Sequence, residues 1–222
     1  MTVSIQAVVF DAYGTLFDVH SVVARCEALF PGHGKQLSQI WRSKQLEYTW
    51  LCSLMGRYQD FESITHAALR FACASLRLDL TQDSSAQLME QYRRLTVYPE
   101  VRGAVEQLRP RRLAILSNGS PSMLSAVVEH AGIRSLFDAV LSVDPLGVFK
   151  PHPSIYQSAV GTLGVPKQAI AFISSNYWDA MGATAFGFRT FWINRIGATP
   201  DTLDYAPSAV LTGLDQLKTA LE

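Results

Sequence analysis

Cysteine is scarce in this chain. Cys26, Cys52 and Cys73 are three thiols in 222 residues, an odd number at spacings that match neither a metal-ligand nor a CxxC pattern. They read as reduced, packed side chains, which excludes a disulfide scaffold and points to a cytoplasmic setting. Long apolar runs are missing too: none approaches the roughly 20 residues of a membrane span. The opening MTVSIQAVVFDAYG has neither the charged start nor the small-residue cleavage site of a secretory signal. An excess of one charge is also absent. Lys+Arg and Asp+Glu number 19 each, with no sustained basic run, so neither a nucleic acid nor a membrane is an expected partner. A small molecule and a second copy of the chain remain.

What the chain has instead is hydrophobic content, 48% of its residues, enough for one large core with a smaller appended unit. Short branched runs without polar alternation predict buried strands at residues 5–10, 112–117, 139–143, 169–174, 188–193 and, more weakly, 209–212. Helical patterns at 101–108, 122–130, 153–160 and 178–185 lie between several of them. Strand–helix alternation of this kind implies a parallel sheet covered on both faces, a three-layer α/β core of Rossmann type. Residues 19–97 interrupt it. HSVVARCEALF, KQLSQIWRSKQLEYTWLCSLM, ESITHAALRFACASL and SSAQLMEQYRRL read as four amphipathic helices with no comparable strand among them, an inserted helical cap domain over one end of the sheet. TVYPEV at 96–101 is the expected return hinge, because Pro99 disfavours helix just before it. The expected division is a core of 1–18 and 98–222 and a cap of 19–97.

Ligands of open parallel sheets bind beyond the carboxyl ends of the strands. Four polar clusters are expected at such ends: Asp11, Ser117-Asn118-Gly119, Lys150 and Ser174-Ser175-Asn176. Each alone has a bland reading as a turn, a helix cap or a solvated cation. Together their convergence marks a candidate active site. A carboxylate there can attack an electrophile and form an ester, and Lys150, just before Pro151, is the natural charge to keep Asp11 ionised. Backbone amides after Asp11 and Ser117, with the Thr15 and Ser117 hydroxyls, would seat an anionic group.

The order of DAYGT at 11–15, LSNGS at 116–120, KP at 150–151 and SSNYWDA at 174–180 resembles the haloacid dehalogenase superfamily of hydrolases across essentially the whole chain. Two departures matter. The phosphatases of that superfamily carry a second aspartate where this chain has Tyr13, and paired acids where it has only Asp179. A phenol, with a reference pKa of about 10, is a poor substitute for a carboxylic acid, and the last motif offers magnesium little negative charge. The expectation is therefore no cofactor and no metal, with a magnesium-dependent phosphatase or a catalytically idle interaction protein as rival readings.

The stretches FDAYGTLFDVHSV, WRSKQLEYTWLCSLM, LSNGSP, LSVD and SSNYWDA are closer still to the L-2-haloacid dehalogenases. That resemblance implies that Asp11 displaces halide from the alpha carbon of an L-2-haloalkanoic acid, and that water then cleaves the aspartyl ester to give a D-2-hydroxy acid. It makes Arg42 the residue that meets the leaving halide or steers the anionic substrate, and Asn118 a second halide-side donor. Ala12, Tyr13 and Ser117 become the carboxylate seat, and Lys150 a substrate contact. Asp179, Ser174 and Asn176 orient Lys150 and water; Tyr156 is a supporting residue, and Tyr13, Leu46, Phe61 and Trp178 form an apolar wall. Ser43 stands where a longer amide side chain occurs in the family, a change expected to bear on the pocket. A homodimer is implied as well, with Trp41, Leu51 and Leu54 as an exposed self-association surface.

Overall fold

The computed structural model describes residues 3–222, so the first two residues of the expected core segment lie outside the described residues. Strand β1 (Ala7–Phe10) is followed by a two-residue strand β2 (Phe17–Asp18) and then by helices α1 (Val22–Leu29), α2 (Gly34–Leu54), α3 (Phe61–Ser75) and α4 (Gln82–Arg93). A second short strand, β3 (Thr96–Val97), returns the chain. After it come α5 (Val101–Glu106), β4 (Arg112–Ser117), α6 (Pro121–His130), β5 (Ala139–Ser142) and α7 (Pro153–Leu163). The chain closes with β6 (Ile170–Ser174), α8 (Tyr177–Phe186), β7 (Arg189–Ile193), β8 (Ala209–Leu211) and α9 (Leu217–Ala220).

The six longer strands form one parallel sheet in the order β5-β4-β1-β6-β7-β8. All four residues of β1 are buried, which is why AVVF shows no polar alternation: both faces of a parallel strand are covered by helices. From β1 the chain order runs outward in both directions, so the crevice between β1 and its neighbours is a topological switch point, where such sheets bind ligands. The α/β architecture expected from the sequence is the one observed, with predicted strand ends trimmed by a residue or two.

Two expectations need correction. A strand does occur before residue 98: β3 pairs antiparallel with β2, Phe17 opposite Val97 and Asp18 opposite Thr96. Two residues are too few to show any periodicity, so the pairing was invisible in sequence. The proposed exposure of Trp41 is also wrong. Its ring is fully buried, donates Nε1–H to the Thr65 carbonyl at 2.8 Å and meets Tyr92 edge-on at 4.8 Å. Leu51 and Leu54, by contrast, are exposed, Leu54 by 84%. Local chemistry sets where the later helices of this layer begin: the Asp60 carboxylate accepts from the Ser63 amide at 2.9 Å ahead of α3, and the Thr81 hydroxyl from the Ser84 amide at 3.1 Å ahead of α4.

Candidate active site

Asp11 extends the β1 ladder by one bond, its amide donating to Ile173 O at 2.9 Å. The chain then reverses on the Ala12 carbonyl, which accepts from the amides of Thr15, Leu16 and Phe17. Gly14 sits inside this turn at φ +89°, a conformation that a side chain would strain. The turn brings Thr15 back beside the residue that began it: its hydroxyl donates to Asp11 Oδ2 at 2.9 Å and accepts from the Ser175 amide at 2.8 Å. DAYGT is thus a device that aims a threonine at its own aspartate.

The other carboxylate oxygen belongs to Lys150. Its Nζ lies 3.1 Å from Asp11 Oδ1 and 2.9 Å from Asp179 Oδ2, with the lysine side chain only 1% exposed. Burial alone would drive the proton off Lys150, yet the charges of Asp11 and Asp179 outweigh it and hold the ammonium above its ordinary range. Asp179 feels the opposite balance: burial pushes it up to about 6 despite the Lys150 charge. Its second oxygen accepts from the Tyr156 hydroxyl at 2.8 Å. Lys150 does not stand at a strand end as the sequence implied. A 3-10 turn (Asp144–Leu146) and a further loop separate it from β5, and its backbone amide is fixed by Asn118 Oδ1 at 3.0 Å. That bond uses the Asn118 carbonyl and leaves its NH2 as a donor.

Asn176 closes the group. Its Nδ2 donates to Asp11 Oδ2 at 2.8 Å and to Tyr13 O at 3.1 Å, while its Oδ1 receives Arg42 Nη2 at 3.4 Å. Ser174 lies behind, accepting from the Asn176 amide at 3.1 Å, and Ser117 accepts from the Gly119 amide at 3.1 Å. Together these side chains enclose a cavity of about 10 Å³ whose lining is Asp11, Tyr13, Arg42, Leu46, Phe61, Ser117, Asn118, Asn176 and Trp178, all of them residues singled out from the sequence. Ala12, Thr15, Lys150, Tyr156, Ser174 and Asp179 support that lining from behind. Larger cavities exist, one of about 560 Å³ between α3 and α4, but chemistry and not volume locates this site. Ser43 is exposed and takes no part in the lining, so its expected bearing on the pocket is not seen.

Two supporting residues escaped the sequence reading. Gln45, fully buried, accepts Arg42 Nη1 at 2.7 Å and donates to the Thr65 hydroxyl at 2.6 Å. The three-residue spacing of Arg42 and Gln45 on one helix face was the available signal. Arg195 follows β7, and asking of that strand end what was asked of the others would have found it. Its Nη2 donates to Thr15 O at 3.0 Å and pairs with Glu100 at 2.7 Å. Nη1 reaches Ser175 Oγ at 2.9 Å, and the guanidinium lies 3.9 Å over the Tyr98 ring.

Magnesium, which many members of the superfamily use, does not fit this donor set. The ion wants about six hard oxygens in octahedral array. Here a lysine ammonium bridges the two carboxylates, Tyr13 stands at the place of the second acid, and Asn176 presents its NH2 to Asp11.

A parallel sheet with a carboxylate at its switch point, a buried lysine between two acids and a helical layer closing over them define a hydrolase of a single family. Residues 5–187 match the haloacid dehalogenase-like hydrolase model, and the chain belongs to that family. Within it, the chain is 51% identical over 212 residues to the (S)-2-haloacid dehalogenase of Pseudomonas sp. strain YL, covering 95% of this chain and 91% of that protein. It is 46% identical to haloacetate dehalogenase H-2 of Moraxella sp. strain B, over 96% of each. The L-2-haloacid dehalogenase of Xanthobacter autotrophicus, solved with chloropropionic acid covalently bound, superposes with a TM-score of 0.94 at 41% identity over 98% of both chains.

Proposed function

We propose that this enzyme hydrolyses L-2-haloalkanoic acids to D-2-hydroxy acids and halide through an ester on Asp11, acting on a carbon–halide bond as its relatives' names describe. The observation that carries the reading is the unequal use of the two Asp11 oxygens. Oδ2 is held by Thr15 and Asn176, whereas Oδ1 has the single Lys150 contact and keeps lone pairs for attack. In the first step Oδ1 forms a bond to the alpha carbon from the side opposite the halogen. The carbon–halogen electron pair leaves with the halide, which Arg42 and the Asn118 amide receive. A guanidinium suits that task because it stays charged when enclosed. Ser117 and the amides near Ala12 and Tyr13 seat the substrate carboxylate, and Tyr13, Leu46, Phe61 and Trp178 exclude water from the displacement.

In the second step water attacks the Asp11 acyl carbon, the acyl–oxygen bond breaks, and the product keeps the oxygen that Asp11 gave it. The alpha carbon is thus inverted once. Asp179, pushed up to about 6, has a value suited to accept the water's proton near neutrality and to return it to the departing alkoxide, which leaves as the hydroxyl of the product, with Ser174 and Asn176 ordering the loop beside it. Arg42, held by Gln45 on α2, brings the helical layer to the chemistry, so the reading divides the chain into a core of 1–18 and 98–222 and a cap of 19–97. A cytoplasmic homodimer completes the proposal. Its support is that the three cysteines are free and buried, that no helix among the described residues is long and apolar enough to cross a membrane, and that Leu51, Leu54 and Met55 are exposed side by side at the end of α2.

The decisive experiment is halide release from separate L- and D-2-chloropropionate samples with a chelator present, followed by chiral analysis of the lactate. The expected result is chloride from the L form alone and D-lactate as product. Equal release from both enantiomers, or turnover only of phosphate esters on adding magnesium, refutes the proposal. Asp11→Asn is expected to abolish steady turnover without loss of fold.

A further inference from the structure

The catalytic cavity is about 10 Å³, roughly the volume one water occupies by this measure, so any substrate requires part of its wall to move. Two larger cavities adjoin it. One, of about 230 Å³, shares Arg42, Leu46 and Asn176 with it and adds His20 and Arg195 among apolar side chains such as Val19, Trp192 and Ile196. The other, of about 450 Å³, lies between the end of α2 and the loop carrying Lys150. Trp50, Leu54, Phe149, Pro151, Trp178 and Met181 supply most of its lining.

The partition between the catalytic cavity and this apolar one is thin. Trp178 lines both. Phe61 on the catalytic side packs against Phe149 on the far side at 6.3 Å, and Lys150 lines the far cavity while its Nζ holds Asp11. The partition is also held by packing alone where it matters. Among the described residues four buried side-chain nitrogen or oxygen atoms have no hydrogen-bond partner, and three of them belong to these two cavities: the Tyr13 hydroxyl and the indole Nε1 of Trp50 and Trp178. The two indoles meet edge-on at 5.5 Å. A ring that makes no hydrogen bond can rotate without breaking one.

We propose that the cavity behind Trp178 is a second substrate compartment, which receives the alkyl chain of 2-haloacids longer than 2-halopropionate when the Trp178 indole turns out of the partition. The inference rests on the dehalogenase reading above and names its substrate range. Of the two neighbouring cavities, the one behind Trp178 carries no arginine in its lining, which is made mostly of Trp50, Leu54, Phe149, Pro151, Trp178 and Met181, so it is the better match for an alkyl chain. Burial of each methylene there strengthens binding by about fourfold at most, so Trp50 and Met181 set chain-length preference without touching the reacting atoms.

The test compares kcat/KM for L-2-bromopropionate and L-2-bromohexanoate in the wild type, in Met181→Trp, which fills the compartment, and in Trp50→Ala, which enlarges it. Met181→Trp is expected to lower the hexanoate value at least tenfold while the propionate value stays within twofold; Trp50→Ala shifts preference toward the longer chain. Leu54→Trp, at an exposed rim position, serves if Met181→Trp does not fold. A fall of both substrates in the same proportion, or of neither, overturns the proposal. Binding is read independently of turnover by quenching of tryptophan fluorescence with unhalogenated hexanoate and propionate. Stronger quenching by hexanoate, lost in the filled variant, supports the compartment even if no halide is released, an outcome that would instead sink the dehalogenase reading. Equal quenching by the two acids overturns the compartment alone.

Discussion

Lys150→Met isolates the cation on which the site depends. The substitution keeps a straight apolar stem but leaves Asp11 and Asp179, 5% and 0% exposed, facing each other without the ammonium now 3.1 and 2.9 Å from them. Breaking a buried ion pair by removing one partner costs about 3–5 kcal/mol, because the surviving charge stays desolvated. In a domain of this size each kcal/mol shifts the midpoint by roughly 2–4 °C, so a fall of about 6–20 °C is expected by scanning calorimetry. The loss should shrink between pH 7 and pH 5. Asp179 already sits at about 6 with the lysine present, and without it takes up a proton more readily, which relieves the repulsion. Adding Asp179→Asn to Lys150→Met should recover about 1–3 kcal/mol, within the coupling measured for charges in one network, while halide release stays lost in both variants. A single-variant cost below about 1 kcal/mol, or a double variant no more stable than the single one, would refute the view that Lys150 is held mainly by the two carboxylates.

The same pair predicts pH behaviour. Asp179 must be ionised to accept a proton, so kcat is expected to rise through about pH 6, and a rate profile flat from pH 4.5 to 7.5 would contradict its role; the Lys150 limb falls above the ordinary lysine range. For stability the signs differ: the raised Asp179 favours the folded state at low pH and loses that contribution as pH climbs from about 4 to about 6, whereas the Lys150 contribution is present at neutrality and disappears only at high pH. Arg42→Lys should lower kcat/KM by about 10- to 100-fold, the worth of charged hydrogen bonds of roughly 1.5–3 kcal/mol, with an unchanged circular dichroism spectrum. Wild-type kinetics in that variant would remove Arg42 from the reaction.

Much of this molecule was legible because its chemistry is local. AVVF followed by Asp11 announces a buried strand that ends in a carboxylate, and a turn that needs Gly14 returns Thr15 to that carboxylate over a span of five residues. Lys150 and Asn118 were legible as chemical types but not as neighbours. They meet because a loop that belongs to no regular element packs its backbone on the asparagine carbonyl, and no periodicity records that. Trp41 was misread because amphipathic spacing tells which helix face is apolar without telling what covers it; here α3 and Tyr92 do. Gln45 and Arg195 were passed over because each touches another site residue and lines the catalytic cavity not at all.

Arg195 also ties the inserted layer's attachment to the core. Its guanidinium holds the carbonyl of Thr15, just before β2, and the carboxylate and ring of Glu100 and Tyr98, just after β3. Both feet of the two-stranded ribbon are therefore riveted to one cation and must travel together with the sheet. Beyond the ribbon the helical layer is joined to it only through residues 19–21 on the outward path and 94–95 on the return. The segment from Asp11 to Thr15 lies on the sheet side of that ribbon, so the aim of the attacking oxygen is set by the core and not by the helical layer.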